Sequence, residues 1–86
     1  MRFLYSERFC KQIEKLSVKT QTRARERLEL FRDDSFSPIL KNHKLHGPLQ
    51  GLRTINVTGD VRIVYQELDN GTCHLIAIGR HKDLYE

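Results

Sequence analysis

His43, His46, Asp60, Arg62, His81 and Tyr85 are the side chains that could do chemistry in this chain. They stand in three stretches, KNHKLHGPLQG, GDVRIVYQ and IAIGRHKDLYE. Cleaving RNA without a metal needs a base for the ribose 2′-hydroxyl proton and an acid for the departing oxygen. It also needs a cation on the phosphate as charge builds there. Histidine suits the first two tasks because its ordinary pKa lies near neutrality. Arg62 suits the third through the bidentate geometry of a guanidinium. Tyr85 could stack on a base or pass a proton. A metal site is the competing chemistry. His43-x-x-His46 lacks helical i,i+4 geometry, no cysteine is near, and Asp60 is the one carboxylate candidate, so zinc is disfavoured.

Each of these residues also has a plain structural reading. A loop histidine such as His46 is commonly just solvated. Asp60 follows Gly59 and is a favoured turn residue in its own right. Arg53 is expected to pair with a carboxylate across the sheet. Lys19, Arg23 and Arg27 form a helical stripe that reads as a solvated face.

The elements that must position these groups follow from periodicity. RFLY is a short strand-like run, and Ser6 after it is a good helix N-cap, with Glu7 in the first turn where the helix dipole favours it. Phe9, Ile13 and Leu16 recur at helical spacing and predict a first helix over Glu7 to Leu16. A second helix restarts after Ser17, with Ala24, Leu28 and Phe31 on one face, Val18 and Leu30 near its edges, and Arg25–Glu29 as an outer i,i+4 pair. So short a connection implies an antiparallel helix pair. Ser37 before Pro38 ends helical structure. From Gly51 the period becomes two: LRTINV, VRIVYQEL and TCHLIAIG read as strands, separated by TGD and by the hairpin signal DNG. The pattern is β-α-α-β-β-β, an α+β domain with both helices on one face of a small antiparallel sheet that the first strand joins. Strand alternation puts Asp60 and Arg62 on one face, opposite Val61, Ile63 and Tyr65. His43 and His46 reach that face if their loop folds over the sheet.

At 86 residues the chain is one domain, residues 1–86, with a thin core; 38% of it is hydrophobic. Lys and Arg exceed Asp and Glu by 15 to 11, and the pI is near 9.3, which favours nucleic acid or another acidic partner. Cys10 and Cys73 lack CxxC spacing and are expected to be buried thiols in a reducing compartment. The apolar run in MRFLYSER is too short for a signal peptide and no stretch approaches a membrane span, so the expected location is the cytoplasm, with no membrane partner.

The stretch HKLHGPLQGLRTINVTGDVRIVYQELDNGTCHLIAIGRHKDLY resembles the C-terminal half of the RelE/ParE superfamily of bacterial toxins, nearest its YafQ-like members. The H-x-L-x-G…G-L-R stretch, the G-D-x-R-I-V-Y strand and the terminal G-x-H-x-x-L-Y carry the likeness, and the element order agrees over the whole chain. The resemblance implies the toxin of a type II toxin-antitoxin pair that cleaves mRNA in the ribosomal A site. It needs no cofactor and is held inactive by a cognate antitoxin protein, through which the complex could bind operator DNA. His43, Asp60 and His81 match catalytic positions of the YafQ group, Tyr85 stands where it has an aromatic, and Arg62 matches a phosphate-binding arginine of RelE-like members. Asn56 stands where YafQ-like proteins carry another histidine, and asparagine cannot exchange protons. Lys41, Lys44, His46, Asn56, Arg80 and Lys82 are the expected RNA contacts. Two alternatives share the fold: a ParE-like inhibitor of DNA gyrase, and an inactive remnant that only binds an antitoxin.

Overall fold

The computed structural model describes residues 1–69 and 71–84. Strand β1 (Arg2–Tyr5) leads into helices α1 (Glu7–Glu14) and α2 (Val18–Asp33). Strands β2 (His43–Lys44), β3 (Arg53–Asn56), β4 (Val61–Glu67) and β5 (Thr72–Arg80) follow, and a short helix α3 (His81–Leu84) closes the described chain. The five strands form one sheet in the order β1-β5-β4-β3-β2. Every pairing is antiparallel except β1 with β5, which is parallel. Parallel neighbours need a crossover between them, and everything from α1 to β4 serves as that crossover.

The serines before the two helices cap them as their positions require. Ser6 Oγ accepts from the Phe9 amide at 2.9 Å and Ser17 Oγ from the Thr20 amide at 3.1 Å. Replacing such a cap typically costs about 1 kcal/mol. α1 ends two residues earlier than its apolar spacing suggests. There the Gln21 side chain reaches back from α2 and donates to the carbonyls of Ile13 and Leu16, at 2.9 and 3.1 Å. α1 also completes β5 where β1 runs out: the Ser6 hydroxyl donates to Ile76 O at 2.6 Å, and Gln12 Oε1 accepts from the Ile78 amide at 2.9 Å. β5 thus keeps these backbone groups satisfied without a longer β1.

Phe9 from α1 and Ala24, Leu28 and Phe31 from α2 bury against Ile55, Val61, Ile63, Tyr65, Leu75 and Ile78 of the sheet. Phe31 is at the centre of this core, edge-on to Tyr65 with ring centroids 4.9 Å apart. A register shift changes which face β5 presents: Tyr65 pairs with Leu75 but Val64 with Ala77, so Ile76 is one residue extra. This bulge lets Cys73, Leu75 and Ile78 meet the helices while Ala77 and Gly79 turn to the other face.

Three local expectations are corrected. Cys10 is exposed on α1, and only Cys73 is buried; both are free thiols. Arg25 does not pair with Glu29 among the described ion pairs; Arg23 meets Glu26 instead, at 3.4 Å. Val18 is not at a buried edge of α2 but 78% exposed.

Burial raises Tyr65 above its ordinary 10.0, opposed by its hydrogen bond to Asn42 and by the Arg53 charge. Burial, with the Glu67 charge, likewise raises the Cys73 thiol above 9.0. The folded chain therefore holds these protons more tightly than the unfolded chain, and stability falls wherever the unfolded state binds fewer protons. The urea midpoint should be level below pH 9.0 and decline as pH rises through and beyond 10.0. Tyr65→Phe should flatten the upper part of that decline. A midpoint that stays level in the unmodified chain to well above pH 10.0 would contradict this account.

Candidate active site

The face of the sheet turned away from α1 and α2 is where most of the singled-out residues gather. Opposed residues in a ladder share a face. Asn56 opposes Arg62 and Arg62 opposes Gly79, which makes one row; His43 opposes Thr54, Thr54 opposes Val64 and Val64 opposes Ala77, which makes the next. The floor beneath is a second apolar cluster of Val64, Ala77 and Leu84, flanked by Leu45, Leu52 and Ile76. The loop after β2 therefore does fold against the sheet. α3 folds back over it through the buried Leu84, which sits against Gly79.

His81 opens α3, and its backbone N–H donates to the Asp60 carbonyl at 2.9 Å. That bond ties the end of β5 to the β3–β4 turn and sets His81 beside Asp60. The turn itself is held by Thr58 Oγ1, which accepts from the amides of Asp60 and Val61 at 3.3 and 3.0 Å. The Arg62 guanidinium clasps it as well, donating from Nη1 to Thr58 O at 3.2 Å and Gly59 O at 3.1 Å. Arg62 is thereby fixed in direction, with Nε and Nη2 carrying its other donors. Arg80, paired with Val61 across the ladder, forms a 3.3 Å ion pair with Asp83. Lys82 is exposed on α3.

His43 lies on the outermost strand, two strand spacings or about 10 Å from the Arg62 strand. Its Nδ1 is 2.7 Å from the Lys41 carbonyl oxygen. A carbonyl only accepts, so Nδ1 carries the hydrogen and the neutral ring keeps its lone pair on Nε2. Lys41 has φ 47°, the one left-handed non-glycine residue among those described. That conformation turns its carbonyl toward His43.

Not every expected contact converges. Lys44 alternates to the opposite face from His43 and opposes Arg53. With His46 it lines an open cleft of about 440 Å³ whose walls include Leu45 and Leu52. His74 pairs with Gln66 near the far end of β4, away from this corner. Arg53 does not meet a carboxylate: its Nε donates to Asn42 Oδ1 at 2.9 Å and its guanidinium covers the Phe36 ring at 5.3 Å. Tyr85 lies outside the described residues. Among the described residues no three His, Cys, Asp or Glu side chains come together as a metal-binding group. The sequence reading passed over Asn42, whose side chain joins Ser35, Arg53 and Tyr65. No periodicity marks it; its place directly before His43 was the available signal.

A mixed five-stranded sheet with two helices on one face and this polar corner on the other is the architecture of the RelE/ParE-like toxins. Solved structures of this kind align along nearly the whole chain. YafQ from E. coli strain BL21(DE3) superposes with a TM-score of 0.83 at 19% identity, covering 100% of both chains. A YoeB/ParE toxin from Agrobacterium tumefaciens gives 0.80 at 16% identity, covering 94% of this chain and 99% of that one. YafQ in the E. coli DinJ–YafQ toxin-antitoxin complex gives 0.79 at 19%, covering 98% and 96%. Comparison with curated protein sequences finds no match. Residues 1–86 match the family described as bacterial toxin of type II toxin-antitoxin system, YafQ. The chain belongs to that YafQ toxin family.

Proposed function

We propose that this toxin is a ribosome-dependent mRNA endonuclease that works without a metal and stops translation. The observation that carries the reading is the His43 ring, held with Nδ1–H on the Lys41 carbonyl and Nε2 left as a base on the same sheet face as Asn56 and Arg62. In the proposed reaction the 2′-oxygen bonds to the adjacent phosphorus as its proton passes to His43 Nε2. The bond from phosphorus to the 5′-oxygen breaks, and that oxygen takes a proton from the His81 imidazolium, leaving a 2′,3′-cyclic phosphate. Arg62 answers the charge that builds on the phosphate through Nε and Nη2, its Nη1 being engaged with the turn. Asp60 steadies His81, Tyr85 stacks on a base, and Asn56 donates to the RNA without exchanging protons. Lys41, Arg80 and Lys82 supply phosphate contacts around this centre, and Lys44 and His46, from the neighbouring cleft, contact the RNA farther along its path.

The solved DinJ–YafQ complex joins a toxin of this fold to an antitoxin. We assign this chain a cognate antitoxin as well, through which the pair could reach operator DNA, and a cytoplasmic site of action. Among the described residues no helix is long and apolar enough to cross a membrane. Expression without antitoxin should halt protein synthesis while DNA replication continues at first. Pulse labelling with amino acids and thymidine reads both. Replication failing before protein synthesis would instead favour gyrase as the target.

A further inference from the structure

We infer that Asn42 is a positioning residue that fixes the tautomer of His43, acting through the Lys41 carbonyl. The inference rests on His43 being the base proposed above. Asn42 makes contacts unlike those of an ordinary loop residue. Its Nδ2 donates to the Ser35 carbonyl at 2.9 Å and to the Tyr65 hydroxyl at 2.8 Å, while its Oδ1 accepts from Arg53 Nε at 2.9 Å. Those partners come from the turn after α2, from β4 and from β3, so three segments grip one side chain. Tyr65 is itself 1% exposed and locked edge-on against Phe31, which gives the grip a rigid base.

Fixing Asn42 has consequences on both sides of it in the chain. Before it, Lys41 is left-handed at φ 47°, closing the turn Pro38–Leu40 with its N–H on Pro38 O at 3.2 Å. That conformation costs a non-glycine residue roughly 1 kcal/mol or more and persists only where neighbours on both sides, here that turn and the gripped Asn42, over-determine it. After it, His43 opposes Thr54 in the β2–β3 ladder. The Lys41 carbonyl and the His43 ring are thus set 2.7 Å apart by a turn whose middle residue is anchored. Free imidazole side chains favour the Nε2–H form, which has no lone pair where the 2′-hydroxyl would present its proton. Holding Nδ1–H on a carbonyl reverses that preference and also supports the ring after it takes the second proton.

Nitrogen-15 NMR of the histidine rings, at a pH where they are neutral, tests this without any cleavage assay. The unmodified chain should give His43 mainly as Nδ1–H. Asn42→Ala should shift it toward Nε2–H, and Tyr65→Phe, which removes one of the anchors, should shift it part of the way. Asn42→Ala should also slow mRNA cleavage on ribosomes by about 10²-fold, the cost of misplacing a catalytic group by roughly an ångström. Should Asn42→Ala fail to fold, the Tyr65→Phe spectrum carries the same test. A His43 that is Nε2–H in the unmodified chain, or Nδ1–H to the same extent in every folded variant, overturns the inference. A tautomer shift with no change in cleavage would uphold the positioning and instead remove His43 from the proposed reaction.

Discussion

His81→Ala should reduce mRNA cleavage on translating ribosomes by about 10²–10⁴-fold, the usual worth of a positioned general acid or base. The backbone tie at this corner should survive. The side chain is exposed, and the tie between the end of β5 and the β3–β4 turn is the His81 backbone N–H on Asp60 O, which alanine keeps. Melting temperature and cleavage rate measured on the same preparation separate the two effects. Arg62→Ala should cost about 10²–10³-fold through the lost phosphate donor. It also releases the carbonyls of Thr58 and Gly59 from Nη1, so it should loosen the turn that holds Asp60. Arg62→Lys keeps the charge but not the two-sided grip, and should recover only part of the rate. His81→Ala cleaving at the unmodified rate would remove the C-terminal corner from the chemistry.

The largest expected effect on stability is at Phe31. Its ring is 1% exposed, edge-on to Tyr65 and stacked at 6.0 Å on Phe3, whose other neighbour is the Arg32 guanidinium at 4.8 Å. Phe31→Ala removes the contact that joins α2 to both β1 and β4 and leaves a cavity, costing about 3–5 kcal/mol. A chain of this size has in all about 4–13 kcal/mol at roughly 0.05–0.15 kcal/mol per residue. The loss therefore takes from about a quarter to all of that stability, and urea titration followed by circular dichroism would read it directly. Val18→Ala, at a position 78% exposed, should change stability by no more than about 0.5 kcal/mol. A Phe31→Ala midpoint close to that of Val18→Ala would show that the core is held elsewhere.

Much of this fold was legible because its signals are local. Ser6 and Ser17 cap where their side chains can reach an amide three residues on. The core stripes Phe9 and Ala24–Leu28–Phe31 follow helical spacing, and Val61, Ile63 and Tyr65 follow the period of a strand. The missed features depend on partners distant in sequence. Nothing near Arg2–Tyr5 says that it lies parallel to Thr72–Leu75. The two residues of β2 are too few to show a period, and the extra Ile76 is visible only when β5 is set against β4.

The candidate site divides in the same way. The motifs around His43, Asp60, Arg62 and His81 named the residues, and the ladders bring Asn56 and Arg62 into one row, with Asp60 and His81 joined by a backbone bond just past the paired ends of β4 and β5. That Arg62 turns back onto its own turn, and that Arg53 serves an amide and a ring in place of a carboxylate, depend on backbone carbonyls and loop positions that a pattern of residue types does not record.

Purified toxin added to ribosomes translating a defined mRNA, with the new 5′ ends mapped, addresses the central proposal most directly. Cuts should be confined to the codon in the A site, absent from the same mRNA without ribosomes, and lost with His81→Ala. Intact mRNA on translating ribosomes, with inhibition of DNA supercoiling by gyrase in a parallel reaction, would contradict it.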